Sequence, residues 1–396
     1  MHQIACRCPQ KLEAATMNKI ANFCQVDLEQ VIAVHDVHST YHVPMLLEEQ
    51  GLVRNIREIL QIDQITPSET LIARGQHTWT QWKDLATAQE RIFDEVSIAL
   101  VGKYTNLHDS YLSVIKSLEH AAMHCRRKLN LIWVDASLLE TNTRDHEPAK
   151  FHQAWHQVCT ANGILIPGGF GLRGTEGMIA AAQWARLNKT PYLGICLGMQ
   201  LAVCEFARNV CKIPDAASSE FFPDTKSPLI ISMPEIDQVN LGGTMRLGLR
   251  PTNFQPGSEW SKLRALYGEE HTSILERHRH RYEVNPEYIA QLEEGGLNFI
   301  GKDDKGVRME IVEIKDHPWY VGVQFHPEYL SRVLAPSKPY LGFVAAAAGC
   351  LEQATREVRE MDGKMKTERT SAVPKEAKEK HPGLVNGIKG DVQKHP

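Results

Sequence analysis

The chain has almost no surplus of charge of either sign: 44 basic and 48 acidic residues leave a formal net charge of −4 over 396 residues. Without a basic excess there is no electrostatic ground for a nucleic-acid or anionic-membrane partner. Long apolar runs are missing as well. The stretch around Phe343–Leu351 is the longest small-and-apolar run, well short of the ~20 residues a membrane helix needs. The opening, MHQIACRCPQ, lacks the apolar core of a secretory leader. The nine cysteines are odd in number and scattered. Their close pairs, Cys6/Cys8 and Cys204/Cys211, do not have zinc-ribbon spacing, so no metal site is expected. A reduced, cytoplasmic setting follows from that cysteine usage. Secreted, membrane-spanning and DNA-binding classes are therefore set aside.

What is present is ordinary for a globular chain, with 42% hydrophobic and 23% charged residues. The length predicts two or three domains at roughly 150 residues each. Residues 1–90 read as helix-rich, with few strand-like runs and no glycine-rich phosphate loop. From Val96 the texture changes to regular alternation. Short apolar runs at Val96–Val101, Leu129–Val134, Gly163–Ile166 and Pro191–Ile195 are separated by helical periodicity, the first helix with Asp109 at its expected N-cap. Such alternation predicts right-handed crossovers and a doubly wound, mostly parallel α/β sheet. Further strands are expected at Leu229–Met233, Leu297–Ile300, Val307–Ile314 and Trp319–Phe325, and a last helix from Tyr340. The expected units are 1–90, 91–352, and a charged, disordered tail over 353–396.

Three strand ends carry chemistry. Pro191-Tyr192-Leu193-Gly194-Ile195-Cys196-Leu197-Gly198 has the form strand, Gly-x-Cys-x-Gly, helix. A residue at such a turn is exposed on strained backbone, and a helix N-terminus favours thiolate, which makes Cys196 a candidate nucleophile rather than a packing residue. The strand before it ends in Pro167-Gly168-Gly169-Phe170-Gly171. Backbone N–H groups of a Gly-Gly turn, with that of Leu197, suit an oxyanion. The competing phosphate-loop reading lacks a Gly-Lys-Ser/Thr, and the next basic residue is Arg173. Gln324-Phe325-His326-Pro327-Glu328 closes a third strand. Glu328 is placed to fix the tautomer of His326, leaving the other ring nitrogen to take the thiol proton. In Glu276–Asn285 the arginines 277, 279 and 281 alternate with His278, His280 and Tyr282, so an extended segment would put the two sets on opposite faces. A metal site would use the histidines and a nucleic-acid patch the arginines.

These motifs resemble the triad (class I) glutamine amidotransferases, and within them the CTP synthase family, over about Cys6–Cys350. The resemblance implies a flavodoxin-like amidotransferase domain preceded by the closing part of a P-loop-type synthetase domain, and so a chain truncated at its N-terminus. It implies hydrolysis of L-glutamine through a thioester, feeding ammonia to the ATP-dependent amination of UTP to CTP. Cys196, His326 and Glu328 take the catalytic positions. Gly168, Gly169, Leu197, Gln200, Glu220 and Arg281 take those that bind glutamine, with Glu220 on the amino group and Arg281 on the carboxylate. Arg173 and Glu176 match a segment linked to allosteric activation by GTP. Lys19 matches a pyrimidine-nucleotide contact, and His35, Asp36 and Val37 an adenine-side segment. The glutaminase step needs no cofactor, while the main sites for ATP, UTP and Mg2+ are absent from this sequence. The expected partners are full-length subunits in a tetramer or filament, and the chain alone is expected to act only as a glutaminase. The alternatives are a γ-glutamyl hydrolase and a non-catalytic assembly or regulatory subunit.

Overall fold

The computed structural model describes residues 3–88, 91–234 and 245–360. In the N-terminal part, β1 (Ile4–Arg7) and β2 (Val31–Val34) form a two-stranded parallel sheet. Val31, Ile32 and Ala33 are buried, and the Gln50 side chain clamps both backbone groups of Ala33 at 2.8 and 2.9 Å. Helices dominate the rest, as the sequence predicts. The last of them, Glu69–Ala88, leads toward the second unit. Its Trp82 indole donates to the Tyr41 carbonyl at 2.9 Å, and the Tyr41 hydroxyl donates to Glu119 at 3.4 Å. Tyr41 thereby bridges to helix Leu112–His124 of the following unit.

That unit is organised by alternation along its strands. β3 (Glu95–Gly102), β4 (Lys128–Asp135), β5 (Gly163–Ile166) and β6 (Tyr192–Ile195) are mutually parallel through β4-β3-β5-β6. Successive side chains of a strand point to opposite faces. Ile164 and Ile166 accordingly join the core beneath helices Thr175–Leu187 and Leu197–Asn209. Leu165, Leu193 and Ile195 join a second core beneath Leu112–His124 and Lys338–Ala347. With helices on both faces the strands have no polar side, which is why they read as unbroken apolar runs.

Beyond this block lie β7 (Ala216–Ser218), β8 (Ser227–Ser232), β9 (Arg246–Phe254), β10 (Ser273–His280), β11 (Tyr282–Val284), β12 (Leu297–Lys302), β13 (Met309–Ile314) and β14 (Tyr320–Val323). The sheet runs β10-β9-β12-β13-β14-β6-β5-β3-β4, with β7, β8 and β11 in a separate small sheet. Only the half from β14 to β4 is parallel; β10, β9, β12, β13 and β14 pair antiparallel in turn. The expected mostly parallel sheet is thus corrected to a mixed one. Two further expectations change. Asp109 sits inside a short 3-10 turn, His108–Tyr111, and Tyr111 occupies the cap of the helix that follows. Residues 351–360 are helical with Ala354 and Val358 buried, so they belong to the packed unit rather than to a tail. Residues 361–396 of that tail lie outside the described residues. Among the described residues no helix is long and apolar enough to cross a membrane.

The glycines of Gly-x-Cys-x-Gly are set by backbone crossing. A Cβ on Gly194 would lie 2.7 Å from the carbonyl carbon of Gly198, and one on Gly198 would lie 2.1 Å from the Ile166 carbonyl oxygen. The Tyr192 hydroxyl also donates to the Gly198 carbonyl at 2.8 Å. Helix Leu197–Asn209 is thus held against β5 and β6 at a separation that tolerates no side chain. Gly198→Ala is expected to cost about 1–3 kcal/mol by forcing that helix away from the sheet. Thermal or denaturant unfolding checks this, and an unshifted midpoint would contradict it.

Candidate active site

Three strand ends converge where β5, β6 and β14 finish side by side, at the carboxyl edge where parallel sheets place ligands. Cys196 follows β6 with φ 52° and ψ −101°, a conformation that an L-residue adopts only under constraint. Its N–H donates to the Val323 carbonyl at 2.7 Å, and its carbonyl accepts from Gln200 at 3.1 Å, opening the helix. The residue is 9% exposed. Gln324 Nε2 donates to its sulfur at 3.6 Å, and the Arg279 carbonyl oxygen lies 4.0 Å away. Leu197 begins the helix, so its N–H has no partner in the preceding turn.

His326 follows β14, and its backbone N–H donates to the Arg277 carbonyl at 2.7 Å. Its Nδ1 lies 2.7 Å from Glu328 Oε1 across the short turn Pro327–Tyr329, where Pro327 fixes the first position. Burial alone would lower the pKa of this imidazole. The charge of Glu328 and hydrogen bonding to Cys196 outweigh it and raise the pKa well above the usual histidine value. Gly168 is wedged beside both groups: a Cβ there would sit 2.8 Å from His326 Cε1 and 3.5 Å from Cys196 Cβ. A further carboxyl, Glu276, is pushed up to about 7 by burial, with the Tyr267 hydroxyl donating to it at 2.7 Å.

Next to Cys196 a small pocket is walled by Gly169, Leu197, Gln200, Glu220 and Arg281. It has an anionic pole at Glu220 and a cationic one at Arg281, which suits a zwitterionic ligand. Burial raises the Glu220 pKa, opposed by the charges of Lys103 and Arg281. Gln200 is fixed by its Nε2, which donates to the Tyr282 carbonyl at 3.0 Å and to Gln324 Oε1 at 3.1 Å. The whole is therefore a cysteine–histidine–carboxylate line with a glycine turn on one side and a charged pocket on the other. That set can perform acyl transfer.

Comparison with known proteins agrees with this geometry. A family profile described as "Glutamine amidotransferase class-I" matches residues 106–346. The chain belongs to the class I glutamine amidotransferases. A second profile, "CTP synthase N-terminus", matches residues 1–62. Among curated proteins the amidotransferase is 62% identical to CTP synthase of Neurospora crassa over 90% of its own length and 61% of that protein's. It is 58% identical to CTP synthase of Schizosaccharomyces pombe, over 91% of its length and 60% of that protein's. It therefore spans about 60% of the length of these relatives. A solved structure, the Trypanosoma brucei CTPS glutaminase domain with bound acivicin, superposes with a TM-score of 0.58 at 36% identity. That match covers 64% of this chain and 94% of the other.

Of the residues named from sequence, Cys196, His326, Glu328, Gly168, Gly169, Leu197, Gln200, Glu220 and Arg281 come together in this amidotransferase. Arg173 and Glu176 lie just beyond them in ion pairs, Arg173 with Asp135 at 3.1 Å and Glu176 with Arg208 at 2.8 Å. Lys19, on helix Ala14–Cys24, and His35, Asp36 and Val37, just after β2, belong to the N-terminal part, where Asp36 pairs with Arg7. Two residues were missed. Lys103 is buried, holds the carbonyls of Phe170 (3.3 Å) and Gly171, and is lowered to about 8 by burial despite the opposing charge of Glu220. It follows β3, so the strand-end rule applied to β5, β6 and β14 would have found it. Gln324 is the other; it opens the motif that drew attention to His326 but was given no role there.

The alternation is as expected over Glu276–His280, with Arg277 and Arg279 outward and His278 and His280 buried, but the strand ends there, and Arg281 and Tyr282, both half-buried, line the same pocket. The two histidines and Glu310 do offer donor atoms within 4.8 Å of one another. The countercharge to Glu310, however, is Arg246, 3.1 Å from its carboxylate, and His280 Nδ1 is engaged by the Tyr282 carbonyl at 3.0 Å. Burial lowers His278 to about 2 and His280 to about 3, which favours the neutral form of both imidazoles.

The raised pKa of His326 gives a signed pH dependence. Its folded value lies above the unfolded value of about 6.5. The stability from its pairing with Glu328 is therefore complete below that unfolded value and lost as pH rises through the folded one. In Glu328→Gln the His326 pKa is expected to fall and turnover to drop by about 100-fold or more. Histidine NMR titration and a pH–rate profile read both, and an unchanged titration would contradict the pairing.

Proposed function

We propose that this chain carries the glutamine-hydrolysing half-reaction of CTP synthesis. The observation that carries the reading is the Cys196–His326–Glu328 line closed by Gly168. In this reading the Cys196 sulfur attacks the side-chain amide carbon of L-glutamine. Arg281 holds the substrate carboxylate and Glu220 its amino group, both from the wall of the same pocket. The oxyanion of the tetrahedral intermediate accepts from backbone N–H groups at Gly168–Gly169 and Leu197. His326 takes the Cys196 thiol proton as the sulfur attacks, and as an imidazolium stabilised by Glu328 it gives that proton to the departing ammonia. It then takes a proton from the water that opens the thioester, releasing glutamate. Lys103 keeps the Phe170–Gly171 carbonyls turned away from the oxyanion side.

The ammonia is used, by this proposal, in amination of UTP at the expense of ATP and Mg2+. This sequence has no phosphate-cradling loop, so no nucleotide step is assigned to its residues beyond contacts from Lys19 and the His35–Val37 segment. GTP activation is assigned to the Arg173–Glu176 segment, whose ion pairs with Asp135 and Arg208 would be exchanged on activation. The partners are CTP synthase subunits in a cytoplasmic assembly. Phe23, Val53, Leu60 and Ile65 are exposed on the N-terminal part.

The test is glutamate release from glutamine by the purified chain. Wild-type protein is expected to turn over and Cys196→Ala to be inactive; equal activity in the two would end the assignment. Arg281→Ala is expected to raise KM by about 10- to 100-fold, as loss of a charged hydrogen-bonding partner implies. An unchanged KM would move the carboxylate elsewhere.

A further inference from the structure

Cys196 is not the chain's only thiol with a chemically active setting. Cys125 caps the C-terminal end of helix Leu112–His124, and Cys350 immediately precedes the helical residues 351–360. Though far apart in sequence, their side chains hydrogen-bond to each other. Both line a cavity of about 80 Å3, together with Arg127, Gln353 and Glu357. Cys125 is 8% exposed, while Cys350 is half-buried and reachable.

The two thiols are unequal. The Cys125 thiol donating to Cys350 and the charge of Arg127 hold Cys350 below the usual thiol value, whereas Cys125 is held above it. By contrast, burial is the leading cause that pushes Cys159, Cys204 and Cys211 up, Cys204 to about 12. An accessible thiol favoured as thiolate beside a buried thiol is the arrangement of an attacking and a resolving cysteine.

We propose that Cys125 and Cys350 form a reversible disulfide on exposure to hydrogen peroxide, tying residues 351–360 to helix Leu112–His124. The Cys350 thiolate attacks one peroxide oxygen and the O–O bond breaks. This leaves Cys350 as the sulfenic acid and releases hydroxide, which is protonated to water. The Cys125 sulfur then attacks Cys350 Sγ. The S–S bond forms, the S–O bond breaks, and the hydroxyl leaves as water with the Cys125 proton. Two thiols are oxidised by two electrons in total and one peroxide is reduced to two waters. A thiol reductant reverses the bond by exchange.

The same helix supports the catalytic turn from its other side. Ser117 Oγ donates to the Glu328 carbonyl at 3.4 Å, and His120 Nδ1 lies 3.0 Å from Ser331 Oγ. The bond therefore fastens the chain's last described helix to an element that already touches the active site. Its formation is independent of the chemistry at Cys196.

The test treats the full chain with hydrogen peroxide, alkylates the remaining thiols, and maps peptides by mass without reduction. The expected product is a linked pair of peptides containing Cys125 and Cys350, lighter than their sum by two hydrogens. It is lost on adding dithiothreitol and at least tenfold more abundant than any other disulfide of Cys350. The thermal midpoint should rise on oxidation of the wild type but not of Cys350→Ser, a half-exposed position whose circular dichroism is expected to match wild type. Cys125→Ser provides the second arm. Recovery of both thiols alkylated after a dose that oxidises Cys196 would overturn the proposal. So would Cys350 found chiefly as a sulfinic acid or paired with another cysteine.

Discussion

The site depends on one strained residue. Cys196 carries φ 52° and ψ −101°, which costs on the order of 1–3 kcal/mol and persists only where the surroundings leave no alternative. Those surroundings are backbone: Gly194 against Gly198, Gly198 against the Ile166 carbonyl, and the Cys196 N–H on the Val323 carbonyl at 2.7 Å. The strain is thus imposed by β5, β6 and β14 together. The same packing lifts the thiol toward Gly168 and His326. Nucleophile, glycine turn and base are consequently one rigid feature of the sheet edge rather than three loops that happen to meet.

Electrostatics completes what packing begins. His326 is buried, yet the charge of Glu328, 2.7 Å away, raises its pKa well above the usual histidine value. Glu276, nearby, is pushed up to about 7 by burial and so does not add a full competing charge below that pH. In the pocket, Glu220 and Arg281 supply opposite charges that act on each other, and Lys103 is turned into the carbonyls of the glycine loop. The half-buried charges each have an opposite neighbour. An isolated one would be costly at this depth.

How much of this was legible follows from which physical signal each element carries. β3, β5 and β6 are buried on both faces, so their apolar runs and terminal glycines marked them, and the catalytic line followed from strand ends. β10 and β9 were harder, because β10 turns Glu276, His278 and His280 inward and exposes Leu275, reversing the polarity a strand usually shows. β12, β13 and β14 were expected as strands, but their apolar runs do not mark the antiparallel direction in which they pair, and so a mostly parallel sheet was expected. Lys103 was passed over since lysines are rarely buried; only the geometry shows its ammonium spent on two carbonyls. Asp109 looked like a cap because its residue type favours caps, but the chain turns once more before the helix begins. Residues 353–360 have the polar composition of a tail, yet Ala354 and Val358 are enough to seat them against the core.

The most direct measurement of the central claim is acid-quenched mass analysis of the chain within its first turnovers with glutamine. The account predicts a glutamyl group, in thioester linkage, on the peptide that contains Cys196 and on no other. Glutamate released with no such adduct at any quench time, or an adduct on another cysteine, would contradict it.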